Sequence, residues 1–101
     1  MKNGYEVIWT GFALDELAQT IKYLEENWTE KEIKIFSVKL EETVILISRN
    51  PNLFQISTVK KDVRRAIVAK HNTLYYQKKG EQIEVISFFS HRQNSKKRNL
   101  K

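Results

Sequence analysis

Between Val63 and Ser90 the chain carries three β-rich runs, "VRRAIVA" (63–69), "NTLYYQK" (72–78) and "QIEVISFFS" (82–90), joined by "KH" and "KGE". Links this short constrain the fold more than any other feature. Parallel strands need a crossover of roughly a dozen residues or more, whereas antiparallel strands close in two to five. The three runs, rich in β-branched and aromatic residues, are therefore expected to form consecutive antiparallel hairpins.

The preceding half of the chain reads as helical. Thr10 is a capping residue, and Leu14, Leu17, Ala18, Ile21, Leu24 and Trp28 recur at three- and four-residue spacing, which lines one side of a helix. Asp15, Glu16, Glu25 and Glu26 are expected on its wet side. "TEKE" (29–32) is a capping-box pattern, with Thr29 accepting from the backbone of Glu32 and the Glu32 carboxylate reaching back, so a second helix starts almost where the first stops. It runs to about Arg49, where "RNP" ends it. Ahead of both helices, "YEVIW" (5–9) alternates as a short strand.

The second helix carries two apolar stripes. Ile33, Phe36, Leu40, Val44 and Ile47 form one; Ile35, Val38, Ile45 and Leu46 form another on nearly the opposite side, at about 100° per residue. Two stripes need two partners. Either the helix lies between the sheet and the first helix, or the second stripe is an exposed patch for another protein. The order strand, helix, helix, strand, strand, strand implies an α+β fold: an N-terminal strand and a two-helix antiparallel hairpin packed on a four-stranded, mainly antiparallel sheet. "PNLFQISTVKKD" (51–62) reads as irregular.

Composition narrows the class of function. A chain of 101 residues makes one domain, burying roughly 65% of its unfolded surface without staples. Residues 1–95 are expected to form that domain and 96–101 a basic tail. There is no cysteine, and His71 and His91 are the two histidines, so neither a disulfide framework nor a metal or cofactor site is expected. The start lacks the apolar stretch of a secretion signal, and no apolar run reaches the ~18 residues of a membrane span. A soluble cytoplasmic protein with no membrane partner is the expectation.

The net charge of +6 is unevenly spread: residues 10–50 hold eight acids against five bases, residues 51–101 twelve bases against three acids. The last strand runs straight into "HRQNSKKRNLK", with five Lys or Arg and no acid. Such asymmetry suits a polyanionic partner, nucleic acid or an acidic protein segment.

The element order, together with "WT..A..EL..T..YL" in the first helix, "RNP.LF" after the second, "VRRAIV", "LYY" and "SFFSHRQN", resembles the RelE/ParE superfamily of type II toxin-antitoxin toxins, nearest the ParE-like plasmid stabilisation proteins. The resemblance spans nearly the whole chain and rests on several weak motifs in the right order. It implies a growth-inhibiting toxin held inactive by a cognate, acidic antitoxin. Ile35, Val38, Ile45 and Leu46 would receive apolar residues of that antitoxin.

The superfamily contains two chemistries. RelE-like members are metal-independent endoribonucleases that cut messenger RNA on the ribosome; ParE-like members bind and inhibit DNA gyrase. On the nuclease reading Arg64, His91 and Arg92 would be the catalytic residues, with Arg64 on phosphate and the His91 imidazole moving a proton. Departures from that pattern weigh against cleavage: Thr73 stands where the nucleases have an arginine, and Asp62 is the sole acid between Glu42 and Glu81. Lys60, Lys61, Arg65, Lys96, Lys97 and Arg98 are the remaining target-binding candidates. Arg64 and Arg65 are expected on opposite sides of their strand, as are Tyr75 and Tyr76. His71 reads as a turn residue, and neither chemistry takes a small-molecule substrate. A non-toxic RNA-binding module fits the charge but not the family pattern.

Overall fold

The computed structural model describes residues 4–57, 60, 62–69 and 72–90. Its elements are β1 (Glu6–Trp9), α1 (Gly11–Asn27), α2 (Glu30–Arg49), β2 (Gln55–Ile56), β3 (Arg64–Ala69), β4 (Asn72–Lys79) and β5 (Gln82–Ser90). The caps form as their sequences require. Thr10 Oγ1 accepts from the Ala13 amide at 3.1 Å. At α2, Thr29 Oγ1 accepts from the Glu32 amide at 3.2 Å while Glu32 Oε1 accepts from the Thr29 amide at 3.0 Å, satisfying two of the amides that a helix start leaves open. The helix closes where the Asn50 amide donates to the Leu46 carbonyl, just before Pro51.

The sheet has five strands in the order β1-β5-β4-β3-β2, one more than the sequence suggests. The addition is β2, two residues that pair antiparallel with Arg64 and Arg65. A strand that short has no periodicity to read and exists through its partner. β3, β4 and β5 form the expected antiparallel meander, with Gly80 at φ +60° in the β4–β5 turn. β1 adds parallel to β5, which the intervening helices and strands make possible. At the entry to β1, Gly4 approaches the Ser48 hydroxyl so closely that a Cβ would collide with it. The Tyr5 amide and carbonyl then bond to the Ser48 carbonyl and hydroxyl.

Both helices pack on one face of this sheet and only slightly on each other. The core between the layers holds Leu24, Phe36, Ile47, Leu74, Tyr76, Ile83, Val85 and Phe88. Phe88 meets Phe36 edge-on at 6.1 Å and Trp9 at 6.2 Å. Each such side chain contributes roughly 1.5–3 kcal/mol by leaving water.

Two features of α1 differ from the sequence expectation. Its buried side is centred on Ala13, Thr20 and Leu24, while Leu14 is 50% exposed and Ala18 also faces water. With α2 covering little of its flank, α1 buries only the narrow arc that touches the sheet. Glu16, expected on the wet side, is half-buried: its Oε1 accepts from the Phe88 amide and the Ser87 hydroxyl, both at 2.8 Å. These donors sit at a bulge. Tyr75 pairs with Ser87 but Tyr76 with Val85, so Ile86 is the extra residue. The bulge shifts the inward alternation from Ile83 and Val85 to Phe88 and Ser90.

Candidate functional site

β3 and β4 divide the candidate residues between the two faces of the sheet. Directly paired residues point the same way, so Arg64 shares a face with Tyr76, and Arg65 shares the other with Tyr75 and Gln55. The first pair lies on the helix side. Arg64 Nη1 donates to the Phe54 carbonyl at 2.7 Å. Tyr76, fully buried, donates its hydroxyl to the Pro51 carbonyl at 2.8 Å and meets the Phe54 ring edge-on at 6.3 Å. Burial pushes the Tyr76 phenol up to about 12, with the Arg64 charge pulling the other way. Together they fasten the segment after α2 to the sheet. The Tyr76 anchor has no local sequence signal, because its acceptor lies 25 residues away.

Beside this anchor opens a cleft of about 450 Å³, lined among others by Pro51, Ile56, Asp62, Arg64, Lys78 and Lys79. Arg64 and Asp62 line it without forming an ion pair to any described residue. Lys78 Nζ lies 5.0 Å over the Tyr5 ring, and Lys79 Nζ lies 3.4 Å from Glu84 Oε1. The Gln77 side-chain Nε2 donates to that Glu84 oxygen at 3.0 Å. Gln77 first, and Lys79 after it, hold the Glu84 carboxyl below its ordinary value.

The sheet's other face carries the second pair. Arg65 Nη2 donates to Gln55 Oε1 at 3.1 Å, and Tyr75 is half-buried beside it. Ile67 and Ile8 are exposed on the same face. Lys60 is exposed in the turn from β2 to β3, where the Val63 amide donates to its carbonyl and the Ser57 amide to that of Val63. The structure thus separates Arg64 from Arg65 by the thickness of the sheet. Lys61, His71, His91, Arg92, Lys96, Lys97, Arg98 and the expected tail lie outside the described residues.

The second stripe of α2 is an outward patch: Ile35, Val38, Ile45 and Leu46 are 43–48% exposed. The account that buries α2 between the sheet and α1 is overturned, since both helices lie side by side on the sheet. Lys31, Lys34 and Lys39, together with Glu42, border the patch at its N-terminal end. Among the described residues no three His, Asp or Glu gather as a metal set, and no helix is long and apolar enough to cross a membrane.

A helical hairpin laid on one face of this sheet is an architecture that solved toxin structures share. One from the chromosomal ParDE toxin-antitoxin system of P. aeruginosa superposes with a TM-score of 0.72 at 15% identity, covering 88% of this chain and 98% of that one. A YoeB/ParE toxin from Agrobacterium tumefaciens gives 0.58 at 14% identity over 85% and 98%. The E. coli DinJ-YafQ complex gives 0.57 at 14% identity over 88% and 96%. At these identities the likeness is one of fold. No curated protein matches the sequence. The family described as the ParE toxin of the type II toxin-antitoxin system, parDE, matches residues 7–95. The chain belongs to the ParE toxin family.

Proposed function

We propose that this toxin inhibits growth in the cytoplasm by binding an essential target, DNA gyrase, and is neutralised by a cognate acidic antitoxin. The observation that carries binding over cleavage is the position of Arg64. A nuclease of this superfamily would use it on the scissile phosphate, yet here its guanidinium lies on the helix side of the sheet and holds the Phe54 carbonyl at 2.7 Å. Arg65 and Tyr75 face away from it. Target binding falls to Arg65 and Lys60, with Lys61, Lys96, Lys97 and Arg98 adding charge that speeds encounter more than it adds affinity.

The ribonuclease reading draws on the shared fold with YafQ and would employ Arg64, His91 and Arg92. One experiment separates the two. The protein is expressed under control, transcript ends are mapped, and gyrase supercoiling is assayed with the same protein. Gyrase inhibition with intact messages is the expected result; codon-phased cuts, abolished by His91→Ala, would replace it with the nuclease.

The antitoxin reading rests on the outward patch of α2. Four aliphatic side chains bordered by three lysines and one glutamate suit an amphipathic helix with mainly acidic flanks. Val38→Asp with Leu46→Asp should weaken antitoxin capture at least ten-fold in a pull-down or titration while leaving the melting temperature nearly unchanged, since both positions already face water. The solved ParDE and DinJ-YafQ complexes lend this partner support.

A further inference from the structure

We infer that Glu16 on α1 is a positioning residue for the binding face of the sheet: through the bulge at Ile86 it sets Ser87, rather than Ile86, beside Tyr75 and Arg65. The inference rests on the target-binding reading above and deepens it by adding Ser87 to the face and naming what holds that face in register.

The strand pairings lay a row of side chains across the open face. Gln55 pairs with Arg65, Arg65 with Tyr75, and Tyr75 with Ser87. Paired residues point to the same side. The next row is Ile67, Thr73 and Phe89. Both rows reach β5 beyond the bulge, so both depend on it. Were Ile86 taken into the ladder, each later residue of β5 would move one place. Ile86 would then stand opposite Tyr75, Ser87 opposite Leu74, Phe88 opposite Thr73 and Phe89 opposite Asn72. A hydroxyl would leave the first row and an aliphatic side chain would replace it, because a one-residue change of register turns every side chain over.

Glu16 stands where that change would have to occur. Trp9 at the end of β1 pairs with Val85, and the Thr10 amide donates to the Val85 carbonyl at 3.0 Å. Beyond Val85 no strand among the described residues pairs with that side of β5. α1 begins there instead, and from its second turn Glu16 brings a half-buried carboxylate to the strand. One oxygen, Oε1, accepts from the Phe88 amide and from the Ser87 hydroxyl, both at 2.8 Å. Bonds to an ionised acceptor are stronger than neutral ones, which offsets the ladder bond that an extra residue forgoes. The Ser87 hydroxyl gives its proton to Glu16 and keeps lone pairs for a donor on the partner. The row thus offers a guanidinium, a phenol and an acceptor oxygen side by side.

The test uses the full chain and reads growth arrest on controlled expression, gyrase inhibition, and the NMR contacts of the Tyr75 ring. In the parent the ring should touch Ser87. Glu16→Ala should weaken inhibition about five-fold, the effect of losing one such bond, with ring contacts to Ile86 appearing. Glu16→Gln keeps an acceptor oxygen in place and should restore both readouts. Deleting Ile86 removes the bulge yet leaves Ser87 opposite Tyr75, so adding Glu16→Ala to that deletion should weaken inhibition no further. Full potency in Glu16→Ala, or Ser87 contacts unchanged in it, overturns the inference. So does a loss that the deletion fails to relieve, since Glu16 would then act other than through the bulge. Should the deletion variant not melt cooperatively, Glu16→Gln is the arbitrating variant, and potency as low as that of Glu16→Ala overturns the inference. A parent that arrests growth but spares gyrase overturns the choice of target alone, because growth arrest then ranks the same variants. A harmless parent in which Glu16→Ala still brings Ile86 to Tyr75 overturns the functional reading and leaves the positioning standing.

Discussion

Arg64 with Arg65, and Tyr75 with Tyr76, are two pairs of identical neighbours that face each other across β3 and β4. The period of the strand sends one member of each pair under the helices and the other to the open face. Arg64 and Tyr76 become fasteners for the segment after α2, bonded to the Phe54 and Pro51 carbonyls. Arg65 and Tyr75 keep contact with solvent and are the members able to meet a partner on the open face. The same side-chain chemistry thus supports the fold in one row and is displayed in the next, and what decides is the parity of the position.

Substitutions can break that division. Tyr76→Ala should cost about 3–5 kcal/mol, the range for emptying a buried aromatic site, as measured by urea unfolding. Tyr75→Ala should cost far less, and equal losses would end the distinction. The alkaline limb gives the next largest effect. The Tyr76 phenol is raised from 10.0 to about 12 in the fold, so the folded state holds its proton where the unfolded state has lost it. Stability from this group is fully present below pH 10 and is lost as pH rises through 12. At about 1.36 kcal/mol per unit the loss approaches 3 kcal/mol. Tyr76→Phe should remove that limb, visible as flatter melting temperatures between those pH values.

Arg64→Ala should cost about 2 kcal/mol by removing a charge-assisted bond to a backbone carbonyl, against less than about 0.5 kcal/mol for Arg65→Ala. For growth inhibition the order should reverse, with Arg65→Ala impairing toxicity more. Glu16→Ala should cost about 1 kcal/mol by leaving the Phe88 amide without its acceptor. Its signature would be faster hydrogen exchange along Ser87 to Ser90, because Glu16 stabilises the bulge that sets Val85 against Tyr76 and Ser87 against Tyr75.

What the sequence made legible was whatever local spacing controls. The capping box at Thr29, the end of α2 before Pro51, the limits of β5 and the opposite facing of Arg64 and Arg65 all follow from neighbours within a few residues. The misses share a different cause. Leu14 and Ala18 carry the right spacing, but which arc of α1 is buried depends on how little of its flank α2 covers. Glu16 reads as a solvated carboxylate because its donors lie 71 and 72 residues further along. β2 is formed by its partner. Of the proposed site, the charge and the outward stripe of α2 were visible; the cleft was not, since it arises where β3 falls short of β4.

The bulge at Ile86 has a consequence for folding. Phe88 and Phe89 are adjacent and identical, so β5 would offer the interior an aromatic ring whichever way its last residues were turned over. Hydrophobic burial alone can hardly tell the two arrangements apart. The arbiter is a single carboxylate on α1, which accepts from the Ser87 hydroxyl and the Phe88 amide only when the strand has taken in its extra residue. Without that arbiter, a population of molecules differing by a one-residue slip at the carboxyl end would be expected, folded to similar depth and visible as doubled resonances for the two phenylalanines.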